Sequence, residues 1–376
     1  MAEHTILITG ATGFVGSNLA CRFLEQGYSL KLLVRGDGSR AQDRVRRTLS
    51  GFIKQAVVEE LVNSRIEVIE GDITQKNLGM SLPVYRELSK GVSEIWHCAA
   101  SVKFEERHRK RIEEQNITGT KHILALTEDL YSGCLHYISS TYVAGNRNGF
   151  VKESDLSEEY GFKNPYEESK FKAEQLVRNH VKNNDVKAII YRPSIIVGDS
   201  KTWKTTSLTG IYAVARVLDS IAKKCALGYA QGDVSARVRI PGAKDGNLNL
   251  VPIDYVIDAM VAISRKRENL GKIFHIVNPN PPGLPEVCEG ISDAVGLRLE
   301  LTDPHDFAKE PMTTRESLFI RNIKPYLPYL RDRFTFCEDN TRNALRHVAI
   351  ECPRINKETI VNFIAYCCNT NWGMAE

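Results

Sequence analysis

A glycine at every third position opens this chain: Thr9-Gly10-Ala11-Thr12-Gly13-Phe14-Val15-Gly16 follows the apolar run Thr5-Ile6-Leu7-Ile8 and leads straight into a segment of helical period. Few patterns restrict a backbone more. The first glycine permits a tight turn, the second lets the main chain approach a pyrophosphate, and the third lets the helix lie against the strand. The helix then aims its first amide N–H groups and the positive end of its dipole at the phosphates. A strand before and a helix after give the triplet the context it requires. Thr9, Gly10, Thr12, Gly13, Phe14, Val15 and Gly16 are therefore expected to cradle a dinucleotide.

Such a unit begins an alternating α/β chain, and the rhythm continues. Short β-rich runs at residues 5–9, 29–34, 66–70, 94–97, 134–139 and 188–192 alternate with helical periods at 14–26, 42–63, 112–130 and 166–182. This alternation predicts an α/β fold with a doubly wound parallel Rossmann sheet covered on both faces. The rhythm changes after Arg192. Residues 201–246 are irregular and moderately basic, with one apolar helical stripe (Ile211, Val214, Val217, Leu218, Ile221). A strand signal at 248–251 and a helix signal at 254–265 suggest a return to the sheet, and Pro281-Pro282-Gly283 breaks the chain before a helical, aromatic remainder. We expect a Rossmann domain over residues 1–200, rejoined by 247–278. Residues 201–246 and 279–376 should form a smaller, mainly helical substrate lobe.

Bulk properties exclude several classes. Lys+Arg of 50 against Asp+Glu of 46 leaves a net charge of +4 without a long basic run, so nucleic acid is not expected as a partner. Nine cysteines show neither a CxxC pair nor metal-ligand spacing, which predicts reduced thiols in the cytoplasm and no metal centre. No secretory leader and no apolar stretch of membrane-spanning length is evident. Oligomeric state is left open.

The second strand ends Leu32-Leu33-Val34-Arg35, where an NAD-specific site usually carries an acid for the ribose 2′-hydroxyl. A cation there pairs instead with a 2′-phosphate, so NADPH is the expected cofactor, with Arg44 or Arg40 as a second contact. Asp37 in the acidic role, or Arg35 as a plain surface charge, is the competing reading. Gly71-Asp72-Ile73 follows the third strand and places Asp72 and Ile73 near the adenine.

Tyr166 and Lys170 stand four apart, on one helix face, and form the only Tyr-xxx-Lys in the chain. They follow a strand ending Ile138-Ser139-Ser140-Thr141. Hydride transfer to a carbonyl leaves an oxyanion that must be protonated. Tyr166 is the expected proton donor, Lys170 should lower its pKa and hold the nicotinamide ribose, and Ser140 should bind the carbonyl oxygen.

With these motifs in order, the chain resembles an extended short-chain dehydrogenase/reductase over about residues 4–280. Asn116, in Glu114-Gln115-Asn116-Ile117-Thr118-Gly119-Thr120, resembles the helix asparagine that supports the active site in that family. Narrower features resemble the branch holding fatty acyl-CoA reductases and the thioester reductase domains that end assembly lines. They are Trp96-His97-Cys98-Ala99-Ala100-Ser101-Val102-Lys103-Phe104, Ile138-Ser139-Ser140-Thr141-Tyr142-Val143-Ala144-Gly145, Arg192-Pro193-Ser194-Ile195-Ile196-Val197-Gly198-Asp199-Ser200-Lys201-Thr202, and the late Tyr326-Leu327-Pro328-Tyr329-Leu330 before Asn340-Thr341-Arg342. Trp203 departs from an expected glycine, and Ser140 from a common threonine.

The resemblance adds Ala99, Ala100, Ser101, Arg192, Pro193, Ser194 and Ile196 to the expected cofactor contacts. It implies reduction of an acyl thioester, on coenzyme A or a carrier protein, to aldehyde or on to alcohol. The basic residues Lys201, Lys204, Lys223, Lys224, Arg237 and Arg239 would then meet a pantetheine phosphate or an acidic carrier, or else form a solvated face. The apolar stripe from Ile211 to Ile221 would line an acyl channel, or else belong to the core. Competing readings are an extended-family ketone reductase, a sugar-nucleotide epimerase or dehydratase, and a non-catalytic NADPH-sensing regulator.

Overall fold

Strands covered on both faces are apolar over most of their length, as Ile6-Leu7-Ile8 and Ala188-Ile189-Ile190 are here. A computed structural model describes residues 5–36, 39–128, 133–184, 186–226 and 237–373. Seven strands form one parallel sheet: β1 (Thr5–Thr9), β2 (Ser29–Val34), β3 (Ile66–Glu70), β4 (Glu94–His97), β5 (Cys134–Ile138), β6 (Lys187–Pro193) and β7 (Ile273–Ile276). Their order is β7-β6-β5-β4-β1-β2-β3. Ile8 pairs with Leu32 on one side and Trp96 on the other. The winding therefore reverses between β1 and β4, and the carboxyl ends of those strands open a crevice.

The helix Phe14–Glu25 packs on one face of the sheet with the helix Ile253–Ser264, around Ile6, Ile8, Phe23 and Trp96. On the other face Leu7, Ile95 and Tyr137 meet Ile123 from the helix Gly119–Glu128 and Val177 from the helix Pro165–Asn184. A separate apolar cluster lies beyond the carboxyl ends of the strands. There the helices Ile211–Ala226, Leu284–Val295 and Lys357–Asn369 surround Tyr212, Phe319 and Phe363. The fold is a doubly wound Rossmann sheet with a smaller, mainly helical lobe.

Three local expectations are corrected. Residues 42–63 form two helices, Ser39–Ser50 and Gln55–Ser64, because Phe52 and Ile53 turn inward onto the core between them. Residues 112–128 are not one regular helix, since Glu114–Thr118 makes a π turn, and 129–130 lie outside the described residues. Leu250–Pro252 does not rejoin the main sheet but pairs with Ile195–Val197 beyond the end of β6. The seventh sheet strand is Ile273–Ile276, which no sequence signal singled out. A run of four carries too little periodicity to declare itself.

Candidate active site

The glycine loop does what its spacing requires. Gly10 has φ +71°, and a Cβ there would lie 2.7 Å from the Ala99 nitrogen. A Cβ on Gly16 would collide with the Gly10 carbonyl oxygen, so the third glycine is what lets the helix close on the turn. Gly13 caps the helix without a side-chain hydrogen bond, and Gly13, Phe14, Val15 and Gly16 line a cavity. Amides at the start of this helix therefore face open space, the fit that a pyrophosphate needs. Thr9 works from below: its Oγ1 meets His97 Nδ1 at 2.7 Å and accepts from the Ala99 amide at 3.2 Å, which ties β1 to the end of β4. Burial pulls His97 down to about 3, so the ring is neutral.

The half-buried Arg44 reaches over the same loop. Its guanidinium donates to Thr12 Oγ1 at 3.1 Å and to the Arg35 carbonyl at 2.5 Å. The Arg35 side chain is exposed at the end of β2, and Arg44 is the cation that contacts the glycine loop. Asp37 lies outside the described residues. Asp72 Oδ1 caps its own turn, accepting from Thr74 N at 2.9 Å and Thr74 Oγ1 at 2.8 Å. Ile73 is buried, with its carbonyl on His122 at 2.7 Å.

Tyr166 and Ser140 line the same cavity, and Ser140 caps the turn Thr141–Ala144 by accepting from the Tyr142 amide at 3.2 Å. Lys170 is buried one turn along the helix. Its Nζ donates to the Ile138 carbonyl at 2.6 Å and to the Tyr137 hydroxyl at 3.1 Å. An ammonium has three donors, so one N–H is left for a ligand. The expected lowering of the Tyr166 pKa is corrected. Burial pushes Tyr166 up to about 12, against Ser140, which lowers it, and burial brings Lys170 down to about 8. Tyr166 is thus a filled proton store.

Asn116 is 2% exposed and does not line the cavity. Its Oδ1 accepts from the Ser101 amide at 2.7 Å, and its Nδ2 donates to the Ser101 carbonyl at 3.0 Å and to Ser169 Oγ at 2.8 Å. The π turn points this amide between the loop after β4 and the tyrosine helix, so Asn116 ties the two together. Arg192 is corrected as a cofactor contact. All five of its N–H donors are used, on both Glu174 oxygens, the Glu153 and Asp155 carbonyls and His275 Nε2, and the side chain is fully buried. Glu174, which sequence reasoning missed, also accepts from Ser139 Oγ at 2.6 Å and locks the tyrosine helix to β6.

One cavity of about 410 Å³ connects these parts. At one end lie Gly10, Gly13, Phe14, Val15, Gly16, Ala100, Pro193, Ser194 and Ile196, and in the middle Ser140, Tyr166 and Lys170. The far end is aliphatic: Ile211, Val214, Ile240, Leu284, Val287 and Ile291. Of the expected stripe only Ile211 and Val214 reach it, while Leu218 is fully buried in the lobe core. Trp203 has φ +62°, which accounts for the expected glycine, and its ring packs 5.4 Å from Phe363. The basic set does not form one patch. Lys204 bonds the Gly51 carbonyl, Lys223 pairs with Asp219 at 2.7 Å, Arg237 with Glu300 at 3.2 Å, and Arg239 with Glu316 at 2.7 Å.

Residues 8–260 match the family model described as Male sterility protein. A linear gramicidin synthase of Brevibacillus parabrevis is 25% identical over 379 residues, covering 97% of this chain and 7% of that protein. A Drosophila melanogaster protein described as a fatty acyl-CoA reductase is 26% identical over 381 residues, covering 89% of this chain and 66% of that one. The chain therefore spans only part of these curated relatives. The terminal R domain of the myxalamid PKS-NRPS pathway superimposes with a TM-score of 0.82 at 24% identity, over 99% of this chain and 92% of that chain.

Proposed function

The chain belongs to the Male sterility protein family of NAD-binding domains, and on that premise we propose that it is an NADPH-dependent oxidoreductase reducing an acyl thioester to the aldehyde, or further to the alcohol. One observation carries the reading: a single cavity runs from the glycine loop past Ser140, Tyr166 and Lys170 to an aliphatic end. A sugar nucleotide needs polar partners that this end does not offer. The relatives described as a fatty acyl-CoA reductase and a gramicidin synthase support the thioester class. The exposed Arg35 and half-buried Arg44 beside the glycine loop support a 2′-phosphate, hence NADPH.

A bound reduced nicotinamide supplies hydride. The chain's own residues do the rest. Ser140 and Tyr166 hold the thioester oxygen, and Tyr166 passes its proton to the oxyanion that forms, giving a hemithioacetal. Collapse returns that proton to Tyr166 as the C–S bond breaks, and the thiol leaves with a proton from solvent. The spare N–H of Lys170 is available to a ribose hydroxyl. We assign residues 1–200 with 247–278 to the cofactor half and residues 201–246 with 279–376 to the substrate lobe. All nine cysteines are free thiols, which supports a cytoplasmic setting. No helix among the described residues is long and apolar enough to cross a membrane.

NADPH oxidation measured against acyl thioesters, aldehydes, ketones and nucleotide sugars tests the proposal. Thioesters should be turned over. Turnover confined to ketones or nucleotide sugars would overturn it.

A further inference from the structure

Lys163 stands two residues before the helix Pro165–Asn184, its side chain is 4% exposed, and no step of the proposed reduction uses it. A buried ammonium needs partners. Those of Lys163 come from three parts of the molecule. Its Nζ donates to the Gly145 carbonyl at 3.0 Å, at the end of the turn that Ser140 caps. The same Nζ lies 3.9 Å from Glu167 Oε1 in the first turn of the tyrosine helix and 3.3 Å from Asp332 Oδ1 in the lobe. Three rings surround it, with centroids at 5.9 Å for Tyr142, 5.3 Å for Tyr329 and 5.1 Å for Phe334.

Two of these rings are walls of the catalytic cavity. Tyr142 and Tyr329 line it together with Ser140 and Tyr166, and they meet edge to face at 4.9 Å. Tyr329 also accepts a hydrogen bond on its hydroxyl from Asn164 Nδ2 at 2.7 Å, while Asn164 Oδ1 accepts from the Glu167 amide at 3.0 Å. The lobe therefore reaches the residue next to Tyr166 by two routes, one through Asn164 and one through Lys163. A desolvated ammonium over aromatic faces is held more firmly than one in an exposed ion pair.

We infer that Lys163 is a positioning residue for the proposed reduction: it draws Tyr329 and Asp332 of the lobe onto the start of the tyrosine helix and so closes the cavity wall around Ser140 and Tyr166. The inference rests on the reading that those two residues react, and adds to it what holds the lobe against them. One cation faces two buried carboxyls, so the cluster is neutral only when one carboxyl keeps a proton. Glu167 Oε1 and Asp332 Oδ2 have no hydrogen-bond partner among the described residues. Burial raises Asp332 to about 7 and raises Glu167 as well, in both cases against Lys163. Burial also pushes the Tyr142 and Tyr329 phenols up, so they stay neutral. Arg331 and Arg333 flank Asp332 in the chain but are exposed, and Arg333 pairs with Asp245 at 2.7 Å. A carboxyl raised in the folded state contributes a hold that is full below its unfolded value and is lost as pH rises through about 7.

The experiment measures kcat/KM for an acyl thioester, and NADPH affinity by fluorescence titration, in Lys163→Met, Lys163→Arg and Asp332→Asn. Lys163→Met keeps the stem and removes the charge. Its kcat/KM should fall about ten- to a hundredfold, the cost of misplacing a reacting group by about 1 Å, with NADPH affinity retained. Lys163→Arg should recover most of that loss, whereas a role in packing alone would be kept by methionine. In the wild type kcat/KM should decline as pH rises through about 7, and Asp332→Asn should remove that decline while the later one set by Lys170 at about 8 remains. Unchanged kcat/KM in Lys163→Met, loss of NADPH affinity in step with it, or an unaltered pH profile in Asp332→Asn overturns the inference and leaves thioester reduction intact. If Lys163→Met does not fold, the Asp332→Asn profile decides. Absence of turnover with every thioester overturns the thioester reading itself, and the same comparison on an aldehyde then decides the role of Lys163.

Discussion

On the proposed reading, Tyr166 acts through its position more than through an unusual acidity. Burial leaves its phenol protonated at neutral pH, in the same cavity wall as Ser140. Tyr166→Phe keeps the ring and removes the proton, so turnover should fall about 10²–10⁴-fold with NADPH binding retained. Near-normal turnover would place the proton donor elsewhere. Cofactor choice is decided at the same scale. Arg44→Ala should weaken NADPH by about 1.5–3 kcal/mol, as expected for hydrogen bonds to a charged group, and NADH far less, measured by fluorescence titration. Equal weakening of both would show that Arg44 only braces the glycine loop. The sequence made the proposed trio Ser140, Tyr166 and Lys170 legible as one cluster because spacing and order suffice for it, and the three do line one cavity. It could not reveal that Lys170 spends two donors on Ile138 and Tyr137, or that Arg192 is fully engaged inside the protein, since those facts depend on what lies across the sheet.

Elements hold the site through buried polar links. Glu174 sits two turns beyond Tyr166 on the same helix and joins Arg192 on β6 and Arg178. Burial alone would raise its pKa, but Arg192, Arg178 and Ser139 outweigh that and hold the carboxyl at about 2. A carboxyl depressed in the folded state contributes stability that is full above its unfolded value and is lost as pH falls toward 2. Glu174→Gln strands two guanidiniums and should cost about 3–5 kcal/mol near neutral pH, read by denaturant unfolding. The gap to wild type should narrow in acid. A constant small difference would mean that the cluster is not a brace. The glycine-loop helix and the tyrosine helix were legible because both carry motifs over full-length elements. The strand Ile273–Ile276 and the π turn at Asn116 were not. One is too short to show a period, and the other is a single-residue excess that only packing against Ser101 and Ser169 explains.

At the scale of the whole molecule, the lobe adds an aliphatic cavity end beside Tyr166 to the nucleotide-binding sheet, which is what the proposed acyl reduction requires. The sequence left both the basic set and the apolar stripe open between a substrate role and an ordinary one. Lys204, Lys223, Arg237 and Arg239 of the basic set are taken up in intramolecular contacts, and of the apolar stripe Ile211 and Val214 line the catalytic cavity, Val217 and Ile221 a neighbouring groove and Leu218 neither, because a helix chooses which face to bury only when its neighbours are in place. The central claim is that thioester reduction occurs at Tyr166, and the most direct measurement counts products. With an acyl thioester, free thiol released should equal NADPH oxidised if reduction stops at the aldehyde, or half of it if the alcohol forms, and both signals should collapse together in Tyr166→Phe. NADPH oxidation without thiol release, or thiol release that persists without NADPH or without the Tyr166 hydroxyl, would contradict the account.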